Sequence, residues 1–154
     1  MKLLCDQMLG TLAKWLRLLG FDVYYVDDKT TDDRILDIAK RERRVIISRD
    51  KQLIKRAKKR EIKVIETNST DLDEQLKAVT LIYSINEEEI LSRCSLCNTP
   101  LVEIEKSKIK DKVPPKVFDL HDEFWYCKKC DKVYWKGSHW EKIEKKMKKL
   151  TKDT

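Results

Sequence analysis

The chain has 154 residues, 41% hydrophobic and 40% charged, a size that allows one domain with an attachment or two small ones. A net charge of +7 makes nucleic acid the first partner to consider, beside the plainer reading of a solvated, ion-pair-rich surface. No apolar stretch reaches the roughly 20 residues of a membrane span, and the start, MKLLCDQML, turns acidic too soon for a signal peptide, so a cytoplasmic protein is expected.

Leu3–Cys5 is a short apolar strand ending at Asp6. From Met8 to Leu19, apolar residues recur at helical spacing, and Gly20 stands where a helix cap is expected. Val23–Val26 is a second strand, closed by Asp27 and Asp28. The pattern predicts a helix over Asp32–Arg41 behind Thr30 and Thr31. Val45–Ser48 is a third strand, ending at Arg49 and Asp50, and the basic run Lys51–Arg60 is a third helix. Lys63–Glu66 is a fourth strand. Ser69–Asp71 caps a helix to about Ile85. Strands that alternate with helices in this way, rich in Val and Ile, predict a parallel sheet of about four strands covered on both faces.

A composition shift at Glu87–Glu89 divides the chain into residues 1–90 and 91–154. The second part carries two Cys-x-x-Cys knuckles, Cys94/Cys97 and Cys127/Cys130, each followed by a good turn residue, Asn98 and Asp131. Two knuckles supply four thiolates for one tetrahedral ion, which selects zinc or iron, and zinc is expected. In a reducing compartment this use outranks two disulfides. The 29 residues between knuckles imply an inserted loop holding Pro114-Pro115. Cys5 reads as a small core residue. His139 reads as structural or RNA-facing, and His121 as solvent-facing. Trp125, Tyr126, Tyr134, Trp135 and Trp140 read mainly as a small ribbon core, with one or two free to stack on bases. A basic helix from Trp140 to Leu150 follows and the end, Thr151–Thr154, should fray.

Every strand of the first part ends in acid: Asp6, then Asp27 and Asp28, then Asp50, then Glu66 and Asp71. In a parallel sheet these share the carboxyl edge, where ligands bind, and Asp32 opens the helix returning from it. Carboxylates converging there call for a hard cation, Mg²⁺ or Mn²⁺, which can activate water and clamp a phosphate. Lys14, Arg17, Arg49 and Lys51 are candidates for holding substrate phosphates. Asp6, Asp32, Asp50 and Asp71 are equally suited to capping helices without chemistry. Asp33 and Asp37 read as exposed helix positions.

The run Cys5–Gly20, with Asp32-Asp-Arg-Ile-Leu36 and Ile47-Ser-Arg-Asp50, resembles the PIN-like ribonuclease family of the Mut-seven C-terminal type. The segments Arg93–Asn98, Trp125–Cys130 and Tyr134–Trp140 are similar to that family's zinc ribbon. The resemblance implies a PIN-like α/β domain that cuts RNA with a divalent metal, followed by a small four-cysteine zinc ribbon. It implies Asp6, Asp32 and Asp50 as metal-binding catalytic acids, Asp28 beside them, and a further acid at Glu66 or Asp71. PIN-like domains often pair, which allows a homodimer. The competing reading is an RNA-binding zinc-ribbon protein without turnover, and the third is a protein-interaction adaptor.

Overall fold

In the computed structural model, which describes residues 1–152, strand β1 (Lys2–Cys5) lies inside a four-stranded parallel sheet of order β2-β1-β3-β4. The other strands are β2 (Asp22–Tyr25), β3 (Val45–Ser48) and β4 (Val64–Glu66). Because side chains alternate along a strand, Leu3, Cys5, Val45 and Ile47 face one way and Leu4 and Ile46 the other. Helices α1 (Gly10–Leu18) and α4 (Leu72–Thr80) cover the first face. Helices α2 (Asp32–Glu42) and α3 (Lys51–Lys59) cover the second. Both faces are therefore buried, as the near-continuous apolar strands require.

The predicted elements lie where the pattern places them, with local differences. A 3₁₀ turn, Gln7–Leu9, precedes α1. Helix α2 is capped by Thr31, whose hydroxyl accepts the Arg34 N–H at 3.2 Å, so Asp32 is not a cap. Helix α4 stops at Thr80 rather than near Ile85. The Thr80 hydroxyl donates back to the Leu76 carbonyl at 2.9 Å, and Tyr83 and Ile85 turn in to pack on the core.

The second part forms an antiparallel sheet of order β5-β6-β7, from β5 (Val102–Ile104), β6 (Phe124–Cys127) and β7 (Lys132–Tyr134). The Pro114-Pro115 segment is not a loop. Pro115 opens the short helix α5 (Pro115–Leu120), where a missing N–H costs nothing. Helix α6 (Ser138–Lys152) returns to the first sheet, with Ile143 and Leu150 in the same core as Leu3, Leu12 and Leu76. Lys146 and Lys149 clamp Asp73 of α4 at 2.5 and 2.7 Å. Of the end expected to fray, Thr151 and Lys152 are helical, and 153–154 lie outside the described residues. No helix among the described residues is long and apolar enough to cross a membrane.

β2 is an edge strand, and its outward backbone groups at Val23 are taken by side chains. The Val23 N–H donates to Asn98 Oδ1 at 3.0 Å, and the Val23 carbonyl accepts both Arg17 Nη2 (2.8 Å) and Nε (3.0 Å). Arg17 also donates to the Ser95 carbonyl at 3.1 Å. The first cysteine knuckle is thereby fastened along the open side of the sheet, which closes an edge that could otherwise template aggregation. Asp22 adds to the seam. Burial works against its ionisation, but hydrogen bonds from Asn98 and Arg44 and the nearby Arg93 prevail and hold its carboxyl below the usual range.

Arg17, a candidate for holding substrate phosphates, is instead engaged within the fold. It is 7% exposed, and Nε, Nη1 and Nη2 each donate to a carbonyl, so the side chain is turned inward to hold the seam. Arg17→Ala should cost about 3 kcal/mol, because it strands buried carbonyls that now accept charged hydrogen bonds. For a protein of this size that is a fall of about 6–12 °C in Tm, read by thermal melting. A Tm within 2 °C of wild type, on the order of 0.5 kcal/mol, would refute the assignment.

Candidate active site and metal centre

In the order β2-β1-β3-β4 the crossovers leave β1 in opposite directions, so the switch point of the sheet lies between β1 and β3. Ligands of open parallel sheets bind at the carboxyl ends of the strands at such a point. The residues there are Asp6, directly after β1, and Ser48 and Asp50, at and after the end of β3.

Asp6 is 4% exposed. Its Oδ2 accepts a short hydrogen bond from the Ser48 hydroxyl, and its Oδ1 accepts the Met8 N–H at 3.1 Å. The Ser48 oxygen in turn accepts the Asp50 N–H at 2.9 Å, so one buried hydroxyl links the Asp6 carboxyl to the main chain at Asp50. Asp50 Oδ1 caps α3 through Gln52 and Leu53. Burial pushes the Asp6 carboxyl above its usual range, and the Asp50 carboxylate adds to this. The bonds from Ser48 and Met8 and the charge of Arg49 oppose it without cancelling it. Arg49, half-buried beside Asp6, has a buried Nε with no hydrogen-bond partner.

The other acids lie further out. Asp32 opens α2 and pairs with Arg56 at 3.7 Å. Among the described residues, Asp6, Asp32 and Asp50 do not bring ligand atoms together as the cysteines do. Asp28 is exposed in the turn after β2, whereas the Asp27 carboxylate is engaged by Lys29 and Thr30 of its own turn. Glu66 is exposed at the end of β4, and Asp71 caps α4 through the Glu74 N–H at 3.2 Å. Asp33 and Asp37 are exposed and pair with Arg56 and Arg60. Lys14 and Lys51 are exposed on α1 and α3. Sequence reasoning passed over Ser48. Its signal was a hydroxyl at the carboxyl end of an otherwise apolar strand, Val45-Ile-Ile-Ser48, where it is wholly buried.

The four cysteine sulfurs all lie within 4.8 Å of one another, with Cys94 and Cys130 at 4.0 Å and Cys97 and Cys127 at 3.4 Å. A tetrahedral ion with bonds of about 2.3 Å needs sulfurs about 3.8 Å apart, so the set fits a metal ion such as zinc. Asn98 (φ 70°) and Asp131 (φ 53°) take the left-handed conformation that turns the chain out of each knuckle. The surroundings suit thiolates. The Tyr134 hydroxyl lies 3.1 Å from Cys94 Sγ, and the Thr99 hydroxyl 3.1 Å from Cys97 Sγ. Burial raises the Cys97 thiol, but its bonds with Thr99, Cys127 and Cys130 outweigh this and bring it to about 6. The bond with Cys97 and burial push Cys130 up to about 12, so four adjacent thiolates need a cation to coexist.

The aromatic residues of the ribbon are mostly spoken for. Lys136 stands over Trp140 at 4.6 Å and Trp125 at 5.8 Å, and Lys132 over Tyr134 at 4.9 Å. His139 is exposed at the start of α6, and His121 is half-buried rather than solvent-facing.

A family model, the Mut7-C RNAse domain, matches residues 1–147. The chain belongs to the Mut7-C RNAse domain family. Membership of this family implies a nuclease-type hydrolase with RNA as its substrate, and the match takes in both the acidic sheet edge and the four cysteines. No curated protein and no solved structure matches the chain.

Proposed function

We propose that the protein is a PIN-like, divalent-metal-dependent ribonuclease whose reaction centre is built on Asp6, Ser48 and Asp50. The observation that carries this reading is a buried Asp6 carboxyl at the switch point of the sheet, held by the Ser48 hydroxyl that also accepts the Asp50 backbone N–H. A carboxylate in that position is costly without a cation and favourable with one. Asp6 and Asp50 would supply the first carboxylates for Mg²⁺ or Mn²⁺, and Asp32, whose carboxylate stands apart from theirs, would have to turn in to complete the set. The long ion pair between Asp32 and Arg56 is weak enough for a divalent ion to displace. Such an ion polarises a phosphoryl oxygen and makes water a nucleophile near neutral pH.

The chain's own residues supply the rest. Ser48 fixes the rotamer of Asp6. Arg49, half-buried beside Asp6, would hold a substrate phosphate, aided by Lys51 and Lys14. Asp28 is the outer acid, since Asp27 is used by its own turn. The cysteines hold zinc, which secures the ribbon against the sheet. Thiolates kept for a metal suit a reducing compartment, and we place the protein in the cytoplasm.

Binding of RNA without turnover has one observation in its favour: Asp6, Asp50 and Asp71 each accept a backbone N–H at the start of a helical turn. Asp50→Asn separates the two readings, because Asn keeps the cap oxygen and removes the charge. Cleavage of single-stranded RNA with Mn²⁺ or Mg²⁺ should fall at least about a hundredfold, with Tm unchanged. Equal residual cleavage in the variant would point to a contaminating nuclease and defeat the reading, and no cleavage by wild type would leave the acids as caps.

A further inference from the structure

Beside the acidic edge runs a second feature that meets the reaction centre only at Lys14, a groove of about 630 Å³ between α1, the first cysteine knuckle, β7 and the start of α6. We infer that this groove holds a single-stranded stretch of RNA flanking the cleaved bond. The inference rests on the ribonuclease reading for the nature of the strand, and on the groove's own chemistry for its place.

Charge is the first argument. Lys14 from α1, Lys132 from β7 and Lys142 from α6 line the groove, His139 joins them, and no carboxylate is among the lining residues. Lys14, Lys132 and Lys142 come from three separate elements, and all are exposed. Three cations facing one cleft without an acid between them repel one another. A polyanion relieves that repulsion and releases its counterions.

Shape is the second argument. Trp15 and Trp135 are half-buried in the walls, which gives the groove flat apolar surface between its cations. Lysines alternating with aromatic rings suit a strand whose phosphates and bases alternate, and a duplex keeps its bases stacked inside. Gly137 supports this wall. A Cβ there would stand 2.6 Å from Trp135 Nε1, so only glycine lets the indole lie where it does.

Position is the third argument. The groove begins at Thr11 and Lys14, in the first turns of α1, and that helix follows Asp6 by way of the turn Gln7–Leu9. A strand bent over the start of α1 passes from the reaction centre into the groove. Cutting and holding are thus placed on either side of one helix start, and the cysteine knuckle forms part of the wall through Ser95 and Leu96.

The test is binding, read apart from cleavage. A fluorescein-labelled oligouridylate is titrated with the zinc-loaded full chain by fluorescence anisotropy over a range of KCl, without added Mg²⁺ or Mn²⁺. The triple variant Lys14→Gln, Lys132→Gln, Lys142→Gln should bind about tenfold more weakly or worse at low salt. Its log–log salt slope should flatten by about 2, as for three lost phosphate contacts on a single strand. A charge-matched control on the far face, Lys55→Gln, Lys58→Gln, Lys59→Gln, should change affinity by less than about twofold. Wild-type affinity and slope in the groove triple overturn the inference, and so does an equal loss in the control, which would mean only a diffuse field. If the triple melts early or loses zinc, Lys132→Glu and Lys142→Glu, made singly at exposed positions, carry the same comparison. A protein that binds through the groove but never cuts with Mn²⁺ sinks the nuclease reading and leaves the groove. One that cuts while the groove variants bind as wild type does the reverse.

Discussion

Asp6→Asn should abolish RNA cleavage, by about a thousandfold or more, and at the same time raise the melting temperature at neutral pH. The first effect follows from removing the charge that a divalent ion would balance at the centre of the site. The second follows from burial. The folded protein raises the Asp6 pKa above that of the unfolded chain, so the fold favours the protonated acid. The stability contributed by that preference is full below the unfolded value, and is lost as pH rises through the folded one. At pH 7 the ionised Asp6 is therefore a cost, and asparagine removes it while keeping an acceptor for the Met8 N–H. Two melts and one cleavage assay check this. Mn²⁺ should raise the Tm of wild type but not of the variant. A variant that is inactive and also melts lower would make Asp6 structural, and one that cuts normally would remove it from the reaction.

Removing the thiolate-bound metal should do more than loosen a ribbon. Cys127→Ser with Cys130→Ser should abolish zinc binding, where elemental analysis of wild type should find one zinc per chain. Structural zinc sites of this kind contribute about 10–16 kcal/mol to folding in isolated peptides, so β5–β7 should lose amide protection altogether. The effect should also reach Val23, more than 70 residues away in sequence, since its N–H is held by Asn98 of the first knuckle. Hydrogen exchange at Val23 is the discriminating measurement. If Val23 stays protected while β6 and β7 exchange freely, the knuckle does not hold the sheet edge. If the double variant keeps its zinc and its Tm, the four sulfurs are not the site.

Much of this architecture was legible in the chain because local and global signals agree in the first part. Short Val- and Ile-rich strands alternate with amphipathic helices and end in acid, and that pattern dictates a parallel sheet and its acidic edge. The cysteine spacing was legible for the same reason, and the resemblance to the ribonuclease family rested on runs inside the matched residues 1–147. What escaped depends on distant partners. Arg17 occupies a helical position like that of any exposed base, and nothing nearby announces the Ser95 carbonyl 78 residues on. Ile143, Met147 and Leu150 declare an apolar helix face, but not that the face completes the core of the first sheet. Pro114-Pro115 reads as a break because proline usually ends helices, yet the second proline begins one. Ser48 was hidden because its meaning lies in joining Asp6 to Asp50 across two strands.

The docking of α6 onto α1 and α4 has a bearing on how the protein is made. Ile143 and Leu150 fill space beside Leu12, Leu16 and Leu76, so that core remains open until α6 has left the ribosome. The nascent nuclease half must wait with apolar surface uncovered while the cysteines between it and α6 are being synthesised. The last helix made is thus the one that completes the first core, so the two ends of the chain close one hydrophobic layer together.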